Sequence, residues 1–168
     1  LEKGPYFGGN SILCGGHGIF AETHVQERLG IEDHADWLYE DQMEYGEHRA
    51  VPELLRTFVD NGADTVKWLE DMGVVWNDGM RANVGNRADR GHWPAPSPDY
   101  AGGFPAFAGI STWTMLKKAV DERGIPMLLG HKMTKVLRPD PAGPVTGIEV
   151  EVDGATIAIK ARKAVLLA

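Results

Sequence analysis

Apolar residues recur every three or four positions in much of the N-terminal part of the chain, as in helices that pack one face on a core. Each apolar segment opens on a capping residue or a proline and closes on asparagine or glycine, residues that begin and end helices. The predicted helices run from the N-cap Asp33 to Gly46, from Pro52 to Asn61-Gly62, from there to Gly73, and from the N-cap Ser111 to Gly124. Their apolar side chains, with Trp68 among them, are predicted to form the core.

The C-terminal part changes to the two-residue alternation that is typical of half-buried strands. Ile148 and Val150 alternate there with Glu149, and the dipeptide Asp153-Gly154 favours a tight two-residue hairpin. Residues 133–137, 145–152 and 155–161 are therefore predicted to form a three-stranded antiparallel meander.

Continuous apolar runs are typical of strands buried in a parallel sheet, and residues 126–129 and 163–168 have this pattern. Residues 1–3 are interpreted as the end of a further strand. Strands that alternate with helices predict an α/β fold, here with a parallel core sheet and the meander inserted before its last strand. Both ends of the chain look like cuts through strands.

Two segments lack periodicity and could carry function. Residues 4–18 are rich in glycine, which lets the backbone approach a ligand closely. Residues 77–110 contain four prolines together with Arg87, Arg90, His92 and Trp93, and loops of this length are often functional or flexible. Arg87 and His92 could approach a substrate carboxylate or hydroxyl, but we interpret them as surface residues.

A net charge of -7 and a pI near 5.3 argue against a nucleic-acid surface, which needs clustered Lys and Arg. The acidic stretch 32–47 is interpreted as the solvated face of a helix, without chemistry. No apolar run is long enough to insert in a membrane. The single cysteine, Cys14, is interpreted as a small buried residue and fits a cytoplasmic protein, although an export signal ahead of Leu1 remains an alternative. The histidines lack metal-ligand spacing, so no metal site is predicted.

An acidic residue at the end of a strand can accept hydrogen bonds from both hydroxyls of an adenosine ribose, and Glu2 occupies such a place. The segment from Leu1 to Pro5, followed by Gly8-Gly9-Asn10-Ser11 and by Gly15-Gly16, closely resembles the FAD-binding flavoproteins of the fumarate reductase and succinate dehydrogenase superfamily. Residues 64–74, 111–129 and 163–168 extend the resemblance in the same order. The soluble fumarate reductases and the 3-ketosteroid dehydrogenases are the most similar groups.

The resemblance implies a partial FAD/NAD(P)-binding Rossmann-like domain over residues 1–168. The family's phosphate-binding glycine loop would precede this segment, and its substrate-capping domain and catalytic arginine would follow it in the remainder of the same chain. No catalytic residue is therefore assigned. The residues that the resemblance implies for the cofactor are Glu2, Lys3, Gly9, Asn10, Ser11, Gly15, Gly16, Met133 and Ala168.

Membrane-bound relatives in the superfamily attach FAD through a histidine at the position of Asn10. An amide cannot form that bond, so noncovalent FAD is expected. The implied activity is reduction or desaturation of a C–C bond beside a carbonyl in a small-molecule substrate, such as a fumarate-like acid, a ketosteroid or another enoate. Two alternatives stay open: a segment of an NAD-dependent dehydrogenase, and a non-catalytic α/β domain that packs on a partner.

Overall fold

The computed structural model describes residues 1–80, 84–95 and 108–168, with the side chain of Ala108 excepted. The described residues form two compact units. The larger unit is Asn10–Arg123, and the smaller one combines Leu1–Gly9 with Gly124–Ala168. Three prolines of the predicted loop, Pro96, Pro98 and Pro105, lie outside the described residues.

The larger unit is helical, with one short pair of strands. Its helices are α1 (His24–Arg28), α2 (Ala35–Tyr45), α3 (Pro52–Asp60), α4 (Gly62–Asp71) and α5 (Ala108–Glu122). Its strands β1 (Gly18–Ile19) and β2 (Gly91–His92) pair antiparallel. The four predicted helices are confirmed as α2 to α5, whereas the β1–β2 pair is too short for a periodic pattern to indicate it.

Two of the predicted helix starts are wrong. The N-cap of α2 is His34, because the Asp33 carboxylate turns inward and accepts only the adjacent His34 N–H from the helix backbone. Helix α5 begins at Ala108, so Ser111 is a buried residue inside its first turn rather than its N-cap. The predicted start of α3 at Pro52 is confirmed, since Pro52 is its first residue.

The short helix α1 was not predicted from periodicity, but it carries a full capping box. Thr23 Oγ1 accepts the Gln26 N–H at 3.2 Å, and Gln26 Oε1 accepts the Thr23 N–H at 3.1 Å. This exchange satisfies two backbone donors at the helix start that otherwise have no partner. A five-residue helix shows too few turns for an apolar stripe.

Two apolar clusters hold the larger unit together. One contains Phe20, Val25, Val66, Val74, Trp76 and Met115, and the other contains Ala21, Leu38 and Val59. The prediction that Trp68 belongs to the core is wrong, because it is 53% exposed on the outer side of α4. Its apolar character widened the predicted face beyond the part of α4 that is buried.

The smaller unit contains the predicted meander, which is confirmed. Its strands β3 (Lys132–Leu137), β4 (Gly147–Val152) and β5 (Ala155–Lys160) pair antiparallel in that order. Asp153 and Gly154 join β4 to β5 with φ values of 50° and 76°. Two consecutive positive φ angles define the tight hairpin turn that this dipeptide favours.

The predicted parallel sheet is not formed among the described residues, whose strand pairings are all antiparallel. Residues 1–3, 126–129 and 163–168 contain no strand. Glu2 is nevertheless fixed by its backbone, since its N–H donates to Leu128 O and its carbonyl accepts the His131 N–H, both at 2.9 Å. A strand requires a hydrogen-bonded neighbour along its length, and the apolar pattern of 163–168 predicts burial without supplying one; Leu166 is 91% exposed.

We predict that Leu38→Ala destabilises the full-length protein by about 2 to 5 kcal/mol, because it empties a fully buried site between Ala21 and Val59. The matched control is Leu54→Ala on α3, where the side chain is 70% exposed and the expected change is below about 0.5 kcal/mol. Urea unfolding of both variants measures the difference. Equal losses would show that α2 is not packed as described.

Candidate functional site

The predicted cofactor residues of the larger unit lie in a glycine-rich loop. The loop contains a single 3-10 turn, Gly9–Ile12. The Leu13 N–H, just after this turn, donates to Asn10 O at 3.1 Å. The side chains of Asn10 and Ser11 are exposed. The loop therefore presents polar groups and bare backbone to solvent.

Cys14 is exposed in this loop, so the prediction that it is a small buried residue is wrong. Its Sγ donates to Ser11 O at 3.1 Å. The thiol caps a carbonyl of the loop instead of filling a core.

The loop rests on the first turn of α5, and glycine makes this contact possible. A Cβ at Gly109 would lie 2.2 Å from Ser11 O, a distance that no real side chain tolerates. The Gly109 N–H also approaches Cys14 O at 3.4 Å. Backbone thus packs on backbone, and any other residue at 109 would push the loop away.

An open cavity of about 280 Å³ lies between this loop and α5. Most of its lining is apolar, and two of the predicted cofactor residues, Ser11 and Gly16, contribute to it. The remaining lining residues are Cys14, His17, Gly109, Thr112, Trp113 and Leu116. A cleft of mainly apolar walls with a few polar groups is the form that binding sites for small molecules and cofactors usually take.

The predicted cofactor residues of the smaller unit include Glu2, whose backbone is fixed by hydrogen bonds with Leu128 and His131. The half-buried Glu2 carboxylate accepts the Gly4 N–H through Oε1 at 2.6 Å. Among the described residues, no group donates to its second oxygen, Oε2. Glu2 therefore keeps an acceptor for a ligand. The other predicted residues of this unit, Lys3, Gly9, Met133 on β3 and Ala168, are all exposed.

The larger unit also contains a buried ionic cluster that no sequence pattern indicated. Arg90 is fully buried and donates to both carboxylate oxygens of Asp33, each at 2.7 Å. It donates further to Asp41 Oδ2 at 2.6 Å and to Asn86 Oδ1 at 3.0 Å. Asp33 and Asp41 belong to the acidic stretch interpreted as a solvated face, and for these two residues that interpretation is wrong.

Hydrogen bonds spread from this cluster to α1. Gln26 Nε2 donates to Asp33 Oδ2 at 2.8 Å and to Asp89 O at 3.1 Å. Thr23, which caps the same helix, contacts His92 through its hydroxyl at 2.7 Å. One connected set of polar groups thus joins α1, α2 and the segment before β2.

His92 is fully buried, so the interpretation that it lies on the surface is wrong. Its Nδ1 lies 2.8 Å from Arg90 O, which can only accept, so Nδ1 carries the proton and Nε2 accepts from the Thr23 hydroxyl. Burial lowers the pKa of His92, and the hydrogen bond to the Arg90 carbonyl opposes this only in part. The ring is neutral and structural.

Asp41 and Arg90 are both held in their charged forms. Burial alone raises the pKa of Asp41, but hydrogen bonds from the Arg87 N–H and from the guanidinium groups of Arg90 and Arg87 outweigh it, so the pKa is lowered. Burial lowers the pKa of Arg90, and hydrogen bonds to Asp33 and Asp41 raise it by more.

The other arginine of this segment lies on the outside of the cluster. The half-exposed Arg87 contacts Asp41 Oδ1 at 2.6 Å and Glu40 Oε2 at 3.0 Å, so it lies on the surface as interpreted. These carboxylates pair with its guanidinium, and Arg87 is not among the residues that line the cavity.

Comparisons with known proteins match the whole chain to one family. A family model described as an FAD binding domain matches residues 1–168. The chain therefore belongs to the FAD-binding flavoproteins of the fumarate reductase and succinate dehydrogenase superfamily. FAD binding follows from this membership, and the resemblance drawn from Glu2 and the paired glycines is confirmed at the level of the family.

Three relatives show how the chain relates to longer proteins. It is 32% identical over 137 residues to an NADH:fumarate oxidoreductase of Klebsiella pneumoniae, covering 82% of this chain and 14% of the relative. A probable fumarate reductase of Shewanella frigidimarina is 31% identical over 140 residues, which cover 83% of this chain and 22% of the relative. The structure of a flavocytochrome c3 fumarate reductase superposes with a TM-score of 0.83 at 30% identity, covering 95% of this chain and 27% of that one. The chain thus spans about a quarter of these proteins or less.

Two features of the described residues concern membranes and metal ions. None of the helices in the described part of the chain is both long and apolar enough to span a bilayer. Within residues 1–80, 84–95 and 108–168, no three His, Cys, Asp or Glu side chains are grouped as a metal ion would require.

We predict that Arg90→Met lowers the free energy of unfolding by about 3 to 5 kcal/mol, because it leaves Asp33 and Asp41 buried without their cation. The control is Arg49→Met, which removes an exposed arginine paired only with Glu47 in the described structure and should cost less than about 1 kcal/mol. Denaturant unfolding near neutral pH compares the two. A stable Arg90→Met protein would contradict the structural role of the cluster.

Proposed function

We propose that this chain is the FAD-binding part of an oxidoreductase that reduces or desaturates a C–C bond next to a carbonyl. The observation that carries the proposal is the match to a flavocytochrome c3 fumarate reductase over 95% of the chain at 30% identity. Fumarate is an alkene between two carboxyl groups, so an enoate is the substrate class that this likeness favours. A ketosteroid remains the second candidate, from the sequence resemblance.

The residues of the two units suit different parts of the cofactor. The free oxygen of the Glu2 carboxylate suits a ribose hydroxyl, while the exposed Asn10 and Ser11 side chains suit the pyrophosphate and the ring system. Gly15 and Gly16 add bare backbone, which a charged phosphate or a flat ring can approach closely. We also assign Lys3, Gly9, Met133 and Ala168 to the cofactor from the family resemblance.

FAD supplies the hydride chemistry when it is bound, and the residues of this chain bind and orient it. We assign no catalytic acid or base to the chain, since His92 and Arg87 are both committed to structural contacts. Within the full-length protein we propose a Rossmann-like parallel sheet, a phosphate-binding glycine loop before residue 1 and a substrate-capping domain after residue 168. The length of the relatives supports this arrangement.

The two alternatives have less support. An NAD-dependent dehydrogenase would use the same ribose carboxylate, but the family model that matches the whole chain is for FAD. A non-catalytic packing domain would need no exposed loop of paired glycines beside an open cavity.

The full-length protein should purify with FAD held noncovalently, because Asn10 stands where a histidine would form the covalent bond. Acid precipitation should leave yellow flavin in the supernatant. After chemical reduction under anaerobic conditions, a fumarate-like acid should restore the absorbance of oxidised flavin faster than its saturated analogue does.

Each result has an opposite that would count against one part of the proposal. Flavin that stays on the precipitated polypeptide would contradict the noncovalent assignment and the alignment of Asn10. Bound flavin that no enoate and no ketosteroid affects would contradict the proposed reaction class while leaving cofactor binding intact.

We predict that Glu2→Gln weakens FAD binding about tenfold or more. The amide can still accept the Gly4 N–H but loses the charge, and a hydrogen bond to a charged group contributes about 1.5 to 3 kcal/mol. Titration of flavin-free protein with FAD measures the dissociation constant. Glu44→Gln on α2, an exposed change, is the matched control and should leave it unaltered. Wild-type affinity in Glu2→Gln would remove Glu2 from the site.

A further inference from the structure

The indole ring of Trp93 lies beside Gly15, the first residue of the second glycine pair, and beside His17. It stacks on His17 with ring centroids 4.2 Å apart and planes inclined by 21°. The same ring approaches Gly15, where a Cβ would lie 3.7 Å from Trp93 Cζ3. Gly15, Gly16 and His17 are consecutive, so one rigid aromatic surface supports both ends of this short segment.

Trp93 itself is held from two directions. Its neighbour His92 is fully buried and pairs with Gly18 across the β1–β2 ladder. Its own carbonyl accepts the Asn77 N–H at 2.8 Å. The backbone of Trp93 is thus fixed to the interior of the larger unit, whereas His17 and Gly15 are exposed.

Gly15 and Gly16 are the residues whose conformation such a support restricts most. Glycine loses more conformational freedom on ordering than any other residue. The left-handed φ of 67° at Gly16 is one of many conformations that a free glycine adopts. A ligand that binds a loop already held in one conformation does not have to order it, and its affinity is correspondingly higher.

We propose that Trp93 is a positioning residue for FAD, which holds the Gly15-Gly16 segment in its binding conformation by stacking on His17. The inference rests on the proposed role of this segment in cofactor binding. Trp93 acts through the loop, and no contact between its ring and the flavin is required.

The test compares flavin-free wild type with Trp93→Ala, Trp93→Phe and His17→Ala in the full-length protein. FAD titration followed by flavin fluorescence gives each dissociation constant. An aromatic pair contributes enough that Trp93→Ala should weaken binding about two- to twelvefold. Trp93→Phe should recover most of the affinity, since a phenyl ring can still stack.

A double variant tests the stack between Trp93 and His17 more directly. His17→Ala removes an exposed side chain and should weaken FAD binding in the same direction. The double variant with Trp93→Ala should lose little more than the larger single loss, because both changes remove one interaction. Trp68→Ala, which deletes a tryptophan that is 53% exposed on α4, is the matched control and should bind FAD as wild type does.

Three results would overturn the inference. Wild-type affinity in both Trp93→Ala and His17→Ala would show that the stack does not position the loop. Strictly additive losses in the double variant would show that the two rings act separately. If Trp93→Ala lowers only the melting temperature of the flavin-free protein and leaves FAD affinity unchanged, Trp93 is a packing residue. A wild-type protein that binds no FAD would instead overturn the proposed function, and this inference with it.

Discussion

The buried guanidinium of Arg90 is the interaction on which the larger unit depends. Removing one arginine and two carboxylates from water costs several kcal/mol per ion, so the cluster is tolerable only when nearly every donor and acceptor is satisfied. Arg90 meets this demand with three hydrogen bonds to Asp33 and Asp41 and a fourth to Asn86. The positions of these residues are therefore tightly restricted, because moving any one of them would leave a buried charge without a partner.

The same constraint explains how the glycine-rich loop is held. Arg90 fixes the segment that leads into β2, and β2 pairs with β1, which directly follows the loop. His92 then locks this pair to the cap of α1 through Thr23. On its other side the loop rests on α5, where only Gly109 permits the contact. A loop rich in glycine thus obtains much of its shape from these neighbours.

The helices and the meander could be predicted because their signals are local. Pro52 begins a helix, Gly46 ends one, and Asp153-Gly154 turns a hairpin through backbone preferences that do not depend on the rest of the fold. The capping box of Thr23 and Gln26 is equally local and could have indicated α1, which periodicity could not.

The ionic cluster could not be predicted in this way. Asp33 and Asp41 meet an arginine 57 and 49 residues further along the chain. In the sequence they lie among acidic residues that are exposed, such as Glu32 and Glu44. Asp33 precedes the N-cap of α2 and Asp41 lies within the helix, so helical spacing does not relate the two side chains. Nothing local distinguishes an aspartate that will be buried from one that will not.

The apolar segments of the smaller unit show the opposite limit of sequence patterns: a local pattern is present, but the structure that it predicts is not formed. A run such as residues 163–168 encodes burial, and the prediction of a strand adds an assumption about partners that the run itself does not contain. Leu1, Leu166 and Leu167 are more than half exposed, whereas the half-buried Glu2 has its backbone fixed and one carboxylate oxygen already bonded. The polar residue is therefore ordered by contacts within the described chain, while these three apolar residues are largely uncovered there. In the role proposed for Glu2, a position set before the ligand arrives lowers the cost of ordering on binding, and the hydrogen bonds with Leu128, His131 and Gly4 set that position within the described residues.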